Sequence, residues 1–309
     1  QECLLRAARR DVRFNVSRAY YFQVSALAAV ELWQETVRLF EEHERLVAAN
    51  CAAGTALRSD LLTVQVRLGD ARENLTNASN NVAIARSQLA AAMGVPLGQA
   101  SVAARPLKTP LYAGDEETLV AAARDAHPAL AALGEAEKEA AAMERAARST
   151  ALPTLAMQAE LDWHGEDEQL GLDRKFHTVG VVADVPIFDG WRARAAQSEA
   201  RAQRDVVAAA RREAADQLEV AARTAHRQVT DAVARIAIAD SAVVAARTAL
   251  QIVEDRYRAG YARVLDLIEV ERSLTEARVR ALGARSAAWT ALAAVELVAG
   301  KQGETIHEP

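Results

Sequence analysis

The stretch "RAGYARVLDLIEVE", residues 258–271, decides the fold because a long helical run stops there at one glycine and then resumes. A related stretch, "AAGTALRSDLLTVQ", occupies residues 52–65. When the two glycines are superposed, residues 54–94 lie on residues 260–300 without a gap, and both copies end on glycine. The chain therefore contains an internal repeat, which constrains the architecture more strongly than any local motif.

Both copies carry apolar residues at alternating spacings of three and four. In the first copy these are Leu61, Val64, Leu68, Ala71, Leu75, Ala78, Val82, Ala85, Leu89 and Ala92, and in the second they are Leu267, Val270, Leu274, Ala277, Ala281, Ala284, Ala288, Ala291, Val295 and Val298. A pattern sustained over about five heptads predicts a coiled-coil seam. The helix before Gly260 has the same spacing, at Ala215, Leu218, Ala222, Ala225, Val229, Ala232, Ile236, Ala239, Val243, Ala246, Leu250 and Val253. Glycine readily adopts the left-handed conformation that ends a helix. The sequence therefore predicts two long antiparallel helical hairpins that bend at Gly54 and Gly260.

The composition favours a mainly α protein. Hydrophobic residues make up 51% of the 309 residues but aromatic residues only 5%, so the apolar content is mostly alanine, leucine and valine. The net charge is −5 and no basic cluster is present, which argues against a nucleic-acid partner. The sequence contains no run of 18 apolar residues, so no transmembrane helix is predicted.

Catalytic and cofactor motifs are absent from the sequence. The six histidines are scattered and never form an HxxxH or HExxH spacing, so no metal site is predicted. The chain has neither a P-loop nor a glycine-rich dinucleotide turn. We therefore expect no cofactor and no enzymatic activity.

A different periodicity appears between the two copies. Apolar residues alternate with mostly polar ones at Leu155, Met157, Ala159, Leu161 and Trp163, and again at Val179, Val181, Ala183, Val185 and Ile187. Period two over about ten residues, found twice, predicts a β-hairpin within 151–188. On pattern alone, a soluble hairpin and part of an outer-membrane β-barrel are equally supported.

Element lengths suggest how the chain is organised. The helix from about 192 to 259 would be about 100 Å long, the return helix at 58–93 about 55 Å, and a further helix at about 120–150 about 45 Å. These lengths return the chain to the level of the strands. The predicted divisions are a first hairpin (1–94), an equatorial segment (95–125), a helix returning toward the membrane (126–150), the β-hairpin (151–188), a second hairpin (189–300) and a tail (301–309).

Four stretches together resemble the TolC-type outer-membrane efflux protein family. They are "VPIFDGWRARAAQSEA" (185–200), "DRYRAGYARVLDLIEVERSLTEAR" (255–278), its echo at 51–72, and residues 126–155. The resemblance implies a homotrimer in the outer membrane of a Gram-negative bacterium. Its helices would form a periplasmic tunnel (an α-barrel) and its strands a β-barrel in outer-membrane lipid. It also implies a passive duct that works with a periplasmic adaptor and an inner-membrane pump.

The sequence departs from the family in having one β-hairpin. Residue 1 aligns with residue 207, so the first copy lacks its own hairpin and the start of its ascending helix. We expect an N-terminally truncated sequence, in which the absent part would hold any signal peptide. Three such chains would offer half of the expected barrel wall.

The resemblance also implies a gate at the periplasmic mouth, where a latch would join Asp60 to Tyr257 and to an arginine. The position expected for that arginine holds Ala262, although Arg263 is next along. The adaptor is expected to dock around Gly54 and Gly260.

Acidic residues would narrow the same mouth, at positions held here by Asp266 and Glu269. Residues at i and i+3 share a helix face, so a threefold axis would place six carboxylates in a ring that attracts cations. The alternative is purely structural, because Asp60 and Asp266 lie near helix N-termini, where a carboxylate is favourable anyway.

Two further interpretations explain fewer of these patterns. A periplasmic adaptor also carries a long helical hairpin, but it has one hairpin and extensive β domains. A soluble coiled-coil scaffold leaves the alternation in 149–191 unexplained. The sequence does not identify an exported substrate.

Overall fold

The structure is a computed structural model that describes residues 2–97, 99, 107–164 and 174–299. The elements in chain order are α1 (Glu2–Ala52), α2 (Arg58–Met93), α3 (Glu116–Ala126), α4 (Pro128–Ser149), β1 (Thr154–His164), β2 (Arg174–Asp184), α5 (Arg192–Arg258) and α6 (Val264–Ala299). The chain divides into two compact units. Unit 1 is Gln1–Ala129 with Asp216–Pro309, and unit 2 is Leu130–Ala215.

Both predicted bends lie in unit 1 and are made by glycines with positive φ. Gly54 has φ 75° and Gly260 has φ 79°. At the second bend the Tyr261 N–H donates to the Arg256 carbonyl at 2.8 Å, and an equivalent bond closes the first bend. This six-residue closure is the Schellman motif, which satisfies carbonyls at a helix C-terminus. The predicted mainly α architecture of long helical hairpins is confirmed.

Replacing Gly260 with alanine should lower the free energy of unfolding by about 1–2 kcal/mol, because a Cβ disfavours the left-handed conformation. Among the described residues, no atom beyond Gly260 and its two chain neighbours lies within 4 Å of the added Cβ, so the cost is conformational and not steric. Gly283→Ala is the matched control, since this glycine lies inside α6 and is equally open. We expect the control to gain about 0.5–1 kcal/mol. Equal effects in urea unfolding would contradict the assignment.

Many of the predicted heptad positions are buried, whereas α6 also buries residues that lie off its heptads, among them Ile268, Glu271 and Trp289. In unit 1 all the buried residues of α5 belong to its seam, and they are Leu218, Ala222, Ala225, Val229, Ala232 and Ile236. The α2 seam buries Val64, Leu68, Ala71, Ala78, Ala85 and Leu89. Alanine at so many seam positions allows neighbouring helices to approach closely.

Helices α1 and α6 pack antiparallel and join the first hairpin to the second. Glu35 pairs with Arg278 at 3.1 Å. Farther from the bends the rings of Tyr21 and Trp289 stack at 5.0 Å between centroids. Residue numbers therefore decrease along α1 as the numbers of their contact partners increase along α6. We call this contact the inter-hairpin seam.

The helix predicted at about 120–150 is two helices, α3 and α4. His127 separates them in an extended conformation, with φ −74° and ψ 120°. Pro128 is the cause, because proline disfavours helical geometry in the residue before it and has no N–H to donate. Proline can instead begin a helix, and it is the first residue of α4.

Helix α3 is attached to α5 by a cluster of charges in unit 1. The Arg223 guanidinium contacts Glu116 at 2.6 Å, Glu117 at 2.9 Å and Glu219 at 3.0 Å. Arg227 lies 3.7 Å from Glu116. The hydrogen bond from Arg223 is the main cause that lowers the pKa of Glu116.

Replacing Arg223 with alanine should speed hydrogen exchange of the α3 amides by about tenfold, because three carboxylates lose their shared partner. Lowering the pH should also speed hydrogen exchange of the α3 amides. A carboxyl group with a depressed folded pKa, such as Glu116, stabilises the fold when ionised, and its contribution is lost as the pH falls through that pKa. Arg235→Ala is the control, because Arg235 pairs only with Asp231 on its own helix among the described residues. Similar exchange in both variants would refute this role for Arg223.

In unit 2, β1 and β2 form an antiparallel hairpin whose register runs from Thr154↔Asp184 to His164↔Arg174. The register places Leu155 opposite Ala183, Met157 opposite Val181 and Ala159 opposite Val179, so the two predicted apolar alternations share one face. That face is solvent-exposed in the single chain. The predicted hairpin is confirmed, whereas the connector at 165–173 lies outside the described residues.

Two residues assigned to the second strand by their alternation lie beyond it. Strand β2 ends at Asp184, so Val185 and Ile187 follow the ladder. Pro186 stands between them and cannot donate to a neighbouring strand, which explains why pairing stops. Helix α4 packs on the start of α5 in the same unit, through Glu144–Arg204 and Glu137–Arg211 ion pairs, each of 2.8 Å.

Two helices carry windows as apolar as a membrane span. The windows in α5 and α6 have mean hydropathies of 1.5 and 1.2, contrary to the expectation that no such helix exists. Length and composition alone produce this result. At 67 residues, α5 is about 100 Å long, roughly three times the thickness of a bilayer core. Alanine and valine hold many of the heptad positions of α5, and they also raise the mean hydropathy of this window.

Candidate channel mouth

The two helical bends lie together in unit 1, where they share one hydrophobic cluster. Its buried members are Val37, Phe40, Val47, Val64, Leu68, Ala71, Val264 and Ile268. Cys51 and Ala56 from the first bend, and Tyr257 from the second, pack against it. The turns at Gly54 and Gly260 are therefore neighbours, and we call this end of unit 1 the mouth.

The two residues of the expected latch are positioned differently. Tyr257 is half-buried against the hydrophobic cluster. Asp60 is half-buried in the first turn of α2. Among the described residues, no hydrogen bond joins the Asp60 carboxylate to the Tyr257 hydroxyl. The structure brings both residues to the mouth, and the latch stays a prediction.

Asp266 contributes to the start of α6. Its Oδ2 accepts a hydrogen bond of 2.9 Å from the backbone N–H of Arg263. A side chain that bonds back to the residue preceding the helix forms half of a capping box. The carboxylate is also exposed, so it can act as both cap and charge. The Arg263 side chain is exposed and contributes its backbone to this contact.

Glu269 is exposed about one turn further along α6, and its negative charge is paired with Arg272 on the same helix. Arg272 donates to both of its carboxylate oxygens, at 2.6 and 3.2 Å. These bonds lower the pKa of Glu269, chiefly through the hydrogen bond itself. Arg272 also reaches Glu276 at 2.6 Å. Of the two carboxylates predicted to form the ring, Asp266 therefore caps α6 and Glu269 pairs with Arg272, and the ring stays a prediction.

Sequence reasoning missed a buried polar pair near the mouth. His43 on α1 contacts the carboxylate of Glu271 on α6 through its Nε2 atom. The two residues lie equally far in sequence from Gly54 and Gly260. Equal distance from two neighbouring bends is the signal that could have placed them opposite each other, had the contact between α1 and α6 been known.

The described residues of the mouth supply charge and apolar packing. Across residues 2–97, 99, 107–164 and 174–299, no group of three histidine, cysteine or acidic side chains is arranged to hold a metal ion. The arrangement instead suits a closure made from helix ends, in which charges line the opening and apolar residues hold the helices.

Long helical hairpins, paired bends and an exposed two-stranded sheet match the α-barrel fold of outer-membrane efflux channels. The model of the family "Outer membrane efflux protein" matches residues 119–301, more than half of the chain. The chain therefore belongs to the outer membrane efflux protein family, and its location is the outer membrane. The family consists of channels and not enzymes. The adaptor and scaffold interpretations do not fit this membership.

Solved structures share the fold at low sequence identity. The outer-membrane channel OprN is 20% identical with a TM-score of 0.84, and the match covers 97% of this chain and 68% of OprN. VceC of Vibrio cholerae is 19% identical with a TM-score of 0.82, covering 97% and 72%. The open state of the Neisseria gonorrhoeae channel MtrE is 21% identical with a TM-score of 0.81, covering 96% and 68%. No curated protein matches the chain.

Proposed function

We propose that the chain is one subunit of a homotrimeric, passive channel-tunnel in a tripartite efflux or type I secretion system. A periplasmic adaptor and an inner-membrane pump would open its mouth. The observation that carries this proposal is the shared cluster of the two bends, because it presents paired helix ends at one pole of unit 1. The turns at Gly54 and Gly260 would receive the helical tips of the adaptor.

A second copy of the chain is the partner that best covers the exposed apolar residues of the long helices. In unit 1 these include Leu62, Val66, Ile84, Val220, Ile238, Val244 and Ile252. Large apolar areas on a soluble surface mark interaction sites. In a closed ring of hairpins each helix would meet a neighbour on such a face.

Outer-membrane lipid is the environment that best fits the β-hairpin. Each strand has 11 residues, which is enough to cross a bilayer when tilted. No element among the described residues of unit 2 covers the apolar face, and Met157 is 78% exposed. Strands from neighbouring subunits would close the sheet so that no edge meets lipid.

Ile238→Glu tests the subunit assembly. Ile238 is 69% exposed, and burying such a side chain is worth about 1.5–3 kcal/mol per copy. A charge there should reduce the trimer fraction in detergent by at least about tenfold. Native mass spectrometry measures the stoichiometry directly. Arg247→Glu is the control on the same helix, because Arg247 is exposed and polar. A wild-type protein that is monomeric, or that needs no detergent, would overturn the proposed channel.

A further inference from the structure

The buried pair at the mouth end consists of one carboxylate and one imidazole. The Glu271 side chain is 1% exposed and the His43 side chain 13% exposed. Among the described residues, His43 Nε2 contacts Glu271 Oε1, and neither carboxylate oxygen of Glu271 has a hydrogen bond of normal geometry. This pair differs from the Glu35–Arg278 ion pair of the inter-hairpin seam, because solvent can reach both of those side chains.

Burial makes each partner dependent on the other. A carboxylate without water or a donor is strongly disfavoured, so removing the imidazole leaves an uncompensated group inside the seam. A lone imidazole can remain neutral and is disfavoured less. Replacing both groups by apolar side chains removes the problem, because nothing polar is then left unpaired.

The pair links the two hairpins close to the bends. His43 belongs to α1 of the first hairpin and Glu271 to α6 of the second. Glu271 is one of the residues that line an open cleft of about 250 Å³. The charged residues that line this cleft come from α1 and α6, and they are Glu35, Arg38, Glu42 and Arg278. Helix α5 contributes Leu250. Of these, Glu35 and Arg278 pair with each other at 3.1 Å, further from the bends.

We propose that the His43–Glu271 contact is a buried latch that holds the inter-hairpin seam closed near the mouth. This inference rests on the proposed function. If the mouth opens by moving one hairpin against the other, α1 and α6 must shift there and this contact must break. His43 and Glu271 are thus positioning residues, which act on the channel through the placement of the two helices.

Hydrogen exchange of the full chain in detergent tests the latch without relying on transport. In His43→Leu, amides of 39–47 and 267–275 should exchange at least tenfold faster than in the wild type, while amides of 78–89 stay unchanged. Glu271→Leu should show a smaller increase. The double variant H43L/E271L should return to within about threefold of the wild type, because two apolar side chains face each other.

Glu35→Gln is the matched control, since it removes an exposed pair from the same seam. Its exchange should change less than twofold. The latch is wrong if H43L exchanges like the wild type, if E35Q matches H43L, or if the double variant is as fast as H43L. Single-channel recording tests separately whether the seam controls opening. H43L should open more often than the wild type, and fast exchange with unchanged opening would overturn the role of the seam in opening and leave the latch itself standing.

Discussion

Val179→Arg is expected to prevent stable insertion of the protein into the outer membrane. Val179 is the middle residue of β2, faces Ala159 at the middle of β1, and is 71% exposed. If this face meets lipid, arginine at mid-depth costs about 2–4 kcal/mol in each subunit. Three subunits in one barrel would each carry that penalty. We therefore expect the assembled outer-membrane fraction to fall at least tenfold.

The control for this experiment lies on the adjacent residue pair. Gln158 is polar, faces Gly180 and projects from the opposite side of the sheet. In a barrel that side lines the interior, where charges are tolerated. Gln158→Arg should therefore insert normally. Urea extraction of isolated outer membranes, followed by quantification of the retained protein, measures both variants. Equal retention of the two arginine variants would show that neither face of the hairpin contacts lipid.

The sequence was sufficient to predict the helical hairpins because the repeat and the heptads are redundant signals. Each bend has a glycine that the turn requires, and the same spacing flanks both. Every buried residue of α5 falls on the predicted seam, since an apolar stripe leaves one face available for packing. The strands could be predicted equally well, because an apolar alternation of period two does not place its residues on one face of a helix.

The sequence was less informative about contacts between hairpins. A heptad predicts which face of a helix is buried, but not which of several similar helices covers it. The register of α1 on α6, and with it the His43–Glu271 contact, depends on that choice. In contrast, Glu269 and Arg272 are three residues apart on one helix, so their pairing could have been predicted from i,i+3 spacing. The acidic ring itself stays a prediction.

Arg272→Gln should increase the cation preference of the open or leaking channel, by about two- to threefold in permeability ratio. The substitution releases the Glu269 carboxylate from its bidentate partner, and a threefold axis would repeat the change three times. The double variant D266N/E269Q should shift the preference in the opposite direction. Asparagine at 266 keeps an oxygen that can accept the bond from the Arg263 N–H, so α6 retains its cap.

Reversal potentials in a potassium chloride gradient measure both variants, with Arg235→Gln as a control on α5. Low salt is needed, because the Debye length is about 10 Å at 0.1 M and about 3 Å at 1 M. The pH dependence supplies a second check. Arg272 lowers the pKa of Glu269, so wild-type Glu269 keeps its charge as the pH falls below the usual glutamate range. Arg272→Gln removes that support, and the added cation preference should be lost at a higher pH. Identical selectivity in all variants at low salt would place Asp266 and Glu269 outside the conduction path and leave Asp266 as a helix cap.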